Sequence, residues 1–318
     1  MFKHDVLCVG SATVDHFITT EQPLSSIKAG DKARVVSEEL HTGGAATNTA
    51  ACFSLLGLKT KILAKLGDDH EADFVKKDLQ KYKIKNICKH HSRHHTDTGT
   101  IISSLKEKDR IILVHKGAST DLNEHDFKRS QLKARWIYLG SLVDKSFKVA
   151  VAVADYAQRK NINLAFNPSS YMAKKGGKAL HKILQATSVM ILNKEEAQSL
   201  LEKKTDSFKV LLQGIHKFGP KTVVITDGRK KFYALHEEKI YEMIPPPVKR
   251  VNTAGAGDCF ASSLVAGMIK RYPFTEALKL AQANASSLIQ YVGTKNGLLR
   301  EKEAVVYMKK LKIKVKII

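Results

Sequence analysis

No stretch of the chain is long and apolar enough to span a bilayer, and residues 1–20 lack the basic, apolar and small-residue order of a signal peptide. A cytoplasmic location is expected. Cysteine is scarce: Cys8, Cys52, Cys88 and Cys259 are far apart and form no CxxC pair. That argues against a disulfide framework or a zinc knuckle and for reduced thiols, with Cys8 and Cys259 in the interior. Acidic residues are outnumbered, 31 against 53 lysines and arginines, which gives a formal charge of +22 in 318 residues. The excess is scattered over almost every polar face, with no zinc finger and no basic-aromatic block of the RRM kind. It reads as solvated surface, with steering of phosphorylated ligands as a second use, and it disfavours nucleic acid as a partner. There is no internal repeat and no low-complexity linker. The remainder, 43% hydrophobic and 26% charged, is a globular composition, enough for one large α/β domain or two smaller ones.

VLCVGS, residues 6–11, is an apolar run ending in Gly-Ser and reads as a buried first strand. Asp15 follows at its carboxyl end, where open α/β sheets place ligand groups. Residues 19–41 read as a strand pair projecting from the main sheet, and TGTIISSL with RIILVH as a hairpin that joins it in one small sheet. The four histidines of CKHHSRHH, residues 88–95, have no carboxylate at ligand spacing and read as a solvated loop or crossover. After residue 120 the strands RWIYLG, INLAFNP, SVMILN and TVVIT alternate with helical segments, notably 146–160, 194–203 and 206–218. This predicts a mostly parallel sheet covered on both faces. TDGRKKFYAL and KIYEMIPPP predict a further hairpin, and the lysine-alternating KKLKIKVKII an edge strand.

Three short elements carry chemistry. VNTAGAGDCFASS, residues 251–263, is a glycine-rich turn opening a helix. Small residues let the backbone approach a ligand, and the first helical N–H groups make an anion site beside Asp258, a carboxylate placed to take a proton. HTGGAATNTA, residues 41–50, is a second such turn, with Asn48 one turn into its helix. NKEEA, residues 193–197, starts a helix at a strand's carboxyl end, with Asn193 as cap and Glu196 pointing back to the same edge.

GGAATN, NKEE and NTAGAGD occur in the order and spacing of the ribokinase-like (PfkB) carbohydrate kinase family. The chain resembles that family from VGSATVD to the helix carrying Asn284. The resemblance implies one ribokinase-like domain over residues 1–318, a three-layer α/β/α arrangement with a mostly parallel central sheet. It adds a small β-sheet lid from about 12–42 and 96–118, a candidate surface for pairing into a homodimer. It implies ATP- and Mg2+-dependent phosphorylation of a hydroxymethyl group on a sugar or sugar derivative, with a nucleoside as the alternative acceptor.

Carried over by motif, Asp258 is the catalytic base, and the amides from Ala254 through Gly255 and Ala256 to Gly257 form the anion hole. Asp15, Gly43, Gly44 and Asn48 match positions that hold the acceptor. Asn193 and Glu196 match the element associated with magnesium and phosphate, Glu196 acting on the metal through water. Thr226 and Gly228 match the strand end beside the nucleotide phosphates, and Asn284 a position beside adenine. Four departures stand out. Asn252 replaces the usual Asp, which leaves a monovalent-cation site open. TDGRKK alters the phosphate element, so Arg229 or Lys230 is a candidate for reaching ATP. Ala45 stands where ribokinases carry a lysine, and Gly140 and Ser141 where they place a glutamate; both changes favour a larger or less polar acceptor. A sugar phosphate has only Arg93 to recommend it. A non-catalytic sugar- or nucleotide-binding regulator on the same fold is the alternative of another class, against which the intact Asp258, Gly255 and Gly257 argue.

Overall fold

The computed structural model describes residues 2–107 and 110–318. Its sheet is best understood from β1 (Val6–Val9), whose four side chains are all fully buried. Successive strand residues point to opposite faces, so Val6 and Cys8 enter one apolar layer and Leu7 and Val9 the other. A strand covered on both faces shows no polar alternation, and each large apolar side chain buried in this way stabilises the fold by about 1.5–3 kcal/mol.

The further strands are β2 (Thr13–Thr20), β3 (Val35–Gly43), β4 (Thr60–Leu63), β5 (Lys85–Asn86), β6 (Asp97–Ser104), β7 (Arg110–His115), β8 (Trp136–Leu139), β9 (Asn163–Phe166), β10 (Thr187–Asn193), β11 (Thr222–Thr226), β12 (Phe232–His236), β13 (Lys239–Met243) and β14 (Val315–Ile317). The helices are α1 (Ala45–Leu55), α2 (His70–Lys81), α3 (Phe147–Arg159), α4 (Ser169–Ala173), α5 (Gly176–Ala179), α6 (His181–Ala186), α7 (Lys194–Leu201), α8 (Phe208–His216), α9 (Ala256–Ile269), α10 (Phe274–Leu288) and α11 (Glu301–Lys310).

Ten strands form the large sheet, in the order β14-β13-β12-β11-β10-β9-β8-β1-β4-β5. From β11 to β5 every pairing is parallel, whereas β12, β13 and β14 join antiparallel. Side chains of α1, α9 and α10 pack with one apolar layer and those of α3, α6, α7 and α8 with the other. This is the expected three-layer α/β/α arrangement, and β14, which carries Lys316, is the edge strand, although the expected run 309–318 pairs only over 315–317, its first two residues ending α11. Cys8 and Cys259 are interior, and so is Cys52. No helix among the described residues is long and apolar enough to cross a membrane.

A separate four-stranded sheet runs β3-β2-β6-β7. It contains the segments expected to pair, but β2 begins at Thr13, only four residues past β1. Asp15 therefore stands within β2, opposite His41 of β3 and Gly99 of β6, and not in a loop at the end of β1. The polar pair Asp15-His16 hides the strand from a search for apolar alternation, while Val14 and Phe17 are buried beneath it. On this sheet Val35, Leu40 and the run Ile111–Val114 are exposed. The histidine-rich segment is a loop as expected. His91 Nδ1 lies 2.6 Å from the carbonyl oxygen of Gly67, and no His/Cys/Asp/Glu group suited to a metal occurs among the described residues.

Candidate active site

The turn into α9 is held from outside and from within. The amides of Val251 and Asn252 donate to the carbonyl of Ile289, at 2.8 and 3.2 Å, and tie the turn to the end of α10. Asn252 Oδ1 accepts from the amide of Ala254 at 2.6 Å, and the amide of Ala256 donates to the carbonyl of Thr253 at 3.3 Å. Gly255 caps α9 with φ +75°, and a Cβ there would lie 3.0 Å from Thr294; only glycine meets both demands. The amides of Gly255, Gly257 and Asp258 take no partner among the described residues. Of the amides from Ala254 to Gly257, those of Ala254 and Ala256 are thus spent on the turn itself.

Asp258 occupies the third position of α9 and is partly exposed. Its Oδ2 accepts from Nδ2 of Asn48, 2.9 Å away on α1. Burial pushes its carboxyl above the ordinary range, while the Asn48 hydrogen bond and the charge of Lys295 pull it back. Asp258 lines a cavity of about 210 Å³ together with Gly255, Gly257, Asn167, Asn193, Glu196 and Thr226. Asn193 and Glu196 form a reciprocal cap on α7: Asn193 Oδ1 accepts from the Glu196 amide and Glu196 Oε2 from the Asn193 amide. The other Glu196 oxygen takes no hydrogen bond among the described residues, and burial raises this carboxyl, with Asp258 adding to the shift.

A second cavity, of about 790 Å³, shares Asn193, Thr226, Gly257 and Phe260 with the first. One wall is apolar, with Phe232, Pro245–Pro247, Val248 and Ile289; Lys194, Arg229 and Arg250 bring positive charge to it. Gly228 and Arg229 line it, while Lys230 leans toward Asp227. Asn284 does not reach it. Its amide donates to Ser263 Oγ at 2.8 Å and to Cys52 Sγ at 3.4 Å, and its oxygen accepts from the Leu299 amide. It is fully buried and braces α9, α10 and α1. Gln282, Ala285, Ser286 and Ile289 present α10 to the cavity instead.

The other predicted residues gather beyond Asn48, outside both cavities. The Asp15 carboxylate fits between two bare backbones: a Cβ at Gly43 would lie 2.1 Å from Oδ2 and one at Gly99 2.5 Å from Oδ1. Burial raises this carboxyl, and Lys295, Thr13, Lys116 and His41 oppose the shift. Gly44, with φ +93°, would place a Cβ 2.6 Å from the Ser11 carbonyl. The paired glycines thus make room inside the protein. Ala45 is wedged against Gly140, where a Cβ would come within 2.7 Å of the Ala45 methyl, so small-residue packing closes both positions. Arg93 is exposed in its loop and lines neither cavity. From the small sheet, Arg110 Nη2 donates to Thr253 Oγ1 at 3.3 Å and links β7 to the turn before α9.

Residues that sequence reasoning missed include Asn167, Arg250, Thr294 and Lys295. The last two lie in a turn after α10 that carries no motif signal; only the fold brings them to Asp258.

The chain is similar in sequence and in fold to known proteins. It is 24% identical over 297 residues to the ribokinase of Bacillus subtilis (strain 168), covering 92% of this chain and 96% of that one. Its fold superposes on the structure of Arabidopsis thaliana ribokinase complexed with ribose and ATP with a TM-score of 0.82, at 21% identity and over 96% and 99% of the two chains. The nucleoside kinase of Methanocaldococcus jannaschii gives a TM-score of 0.80 at 20% identity, over 97% and 99%. The sequence profile of the pfkB family carbohydrate kinase matches residues 3–301, and the chain belongs to that family.

Proposed function

We propose that the protein transfers the γ-phosphoryl group of ATP to a hydroxymethyl group of a sugar or sugar derivative, with Asp258 as the base. The observation that carries this reading is the position of Asp258. It shares a cavity with Gly255 and Gly257, whose amides are uncommitted among the described residues, and it is hydrogen-bonded to Asn48. An acceptor hydroxyl near Asp15 and Asn48 loses its proton to Asp258 as its oxygen attacks the γ-phosphorus, and the bond to the bridging oxygen of ADP breaks. The amides take up the charge on the transferring group. Asn48 gives one N–H to Asp258 and keeps the other for the acceptor. The wide cavity suits a nucleotide, its apolar wall the base and its basic residues the phosphates.

Magnesium fits the donors present. Glu196, whose second carboxylate oxygen faces the same cavity as Asp258, offers a hard oxygen to the ion through water, as suits a metal that keeps most of its waters. When bound it would neutralise charge on the phosphates. The small sheet, tethered to the turn by Arg110, would act as a lid that excludes water. A nucleoside acceptor is favoured by one observation, the closure of positions 45 and 140 by apolar packing. ADP release measured with ATP and D-ribose, other free sugars, inosine or adenosine separates the readings. Asp258→Asn should lower turnover by orders of magnitude and spare ATP binding; near-parental turnover overturns the assignment.

A further inference from the structure

We propose that Thr294 and Lys295, in the turn between α10 and α11, are positioning residues that orient the base and couple it to the small sheet; this rests on the reading of Asp258 as the base. Both side chains are almost completely buried, 4% and 7% exposed. Thr294 Oγ1 lies 2.8 Å from Asn48 Oδ1 and 2.8 Å from the carbonyl of Thr42. A carboxylate only accepts, so Asn48 must turn its Nδ2 to Asp258 and its Oδ1 to Thr294. The Thr294 hydroxyl shares its proton between the two oxygens and thereby fixes the amide that holds the base. The backbone of Thr294 also fills the space against Gly255, where a Cβ would lie 3.0 Å from its carbonyl oxygen. One residue thus touches β3, α1 and the turn before α9.

Lys295 fastens the same turn. Its Nζ lies 2.6 Å from Thr42 Oγ1, 3.2 Å from the Thr42 carbonyl, 3.2 Å from Thr47 Oγ1 and 2.9 Å from Asp78 Oδ2. An ammonium has three protons, and these acceptors use all of them. Lys295 therefore has none to offer a substrate, and what it adds is placement and charge. That charge faces Asp78, Asp15 and Asp258. Asp258 is further faced by Asn48 and Cys52 from α1, Cys8 from β1, Tyr138 from β8 and Glu196 from α7, with Cys259 beside it on α9. Among these neighbours Lys295 is the cation. Because Thr42 belongs to β3, a movement of the small sheet reaches Asn48 through Thr294 and Lys295.

The test reads the carboxyl directly. Protein labelled with 13Cγ-aspartate is titrated by NMR, and the Asp258 signal is assigned by its loss in Asp258→Asn. In Thr294→Val and Lys295→Met the Asp258 titration should move to higher pH, because the fixed amide or the cation has gone; Thr294→Ser and Lys295→Arg should return it toward the parent. With whichever of D-ribose or inosine supports turnover, the two disabling variants should lose at least tenfold in kcat, most at low pH, with the KM for ATP unchanged. An Asp258 titration that Thr294→Val and Lys295→Met leave in place overturns the proposal. If Lys295→Met fails to fold, the near-isosteric Thr294→Val decides alone. Full turnover by Asp258→Asn would overturn the base assignment instead, a result independent of the titration.

Discussion

Alanine at Gly43 and alanine at Gly257 should have opposite effects, though both glycines belong to motifs that suggest ligand contact. A Cβ at Gly43 would stand 2.1 Å from Asp15 Oδ2 and 2.7 Å from Thr13 Oγ1, and Gly99 bounds the carboxylate on its other side. Asp15, partly exposed, must turn away from the added methyl, so Gly43→Ala should cost about 1 kcal/mol, the lower end of an overpacked interior. That lowers the melting temperature by a few degrees and, by displacing Asp15, raises the KM for the acceptor while ATP binding is spared. At Gly257 no heavy atom lies within 4 Å of the added methyl, and the backbone is ordinary helix. There alanine should leave the melting temperature unchanged or raise it, by up to about 1 kcal/mol of helix propensity. The methyl nevertheless enters the cavity beside Asp258, where the proposed transfer brings the phosphoryl group. Turnover should fall about 10²–10³-fold, the size seen when one donor to a transition-state anion is lost. Differential scanning fluorimetry and coupled ADP release on the two variants make the comparison. Parental kcat in Gly257→Ala, or parental melting temperature and acceptor KM in Gly43→Ala, would refute the reasoning.

Activity should also show an early acid limb. Burial raises Asp258, Asp15 and Glu196 above the ordinary carboxylate range. Each therefore takes up a proton sooner as pH falls, and kcat/KM should drop at a higher pH than an exposed aspartate would give, which a pH–rate profile records. The same sign means these three groups favour the folded state more as pH falls through that window. Asn284→Ala should destabilise by about 1–3 kcal/mol, since Ser263 and the Leu299 amide lose a buried partner; chemical denaturation measures this, and the KM for ATP should stay at its parental value. Lys65→Met should cost more, roughly 3–5 kcal/mol by denaturant titration, because it leaves Asp126 charged and 2% exposed without the ammonium 2.8 Å away.

What was legible in the sequence follows from the range of the forces involved. Buried parallel strands such as Val6–Val9 are local apolar runs, and glycine turns into α1 and α9 are local backbone demands, so both appear in the order of the residues. The strand Thr13–Thr20 is half-hidden, because Asp15 and His16 break its pattern and its parallel partner β6 lies far along the chain. Asn284 shows how a motif can place a helix without placing a side chain. Successive residues of an α-helix turn by about 100°, so the residue two places after Gln282 points some 200° away from it, into the interior. Gln282, Ala285, Ser286 and Ile289 share the cavity face, and Asn284 lies opposite, against Ser263 and Cys52. Thr294 and Lys295 mark the further limit. Their partners Thr42, Thr47, Asn48 and Asp78 are more than 200 residues away, and a lysine in a basic chain looks like solvated surface until the fold buries it. The cation that acts on Asp258 is thus one that composition has little reason to single out.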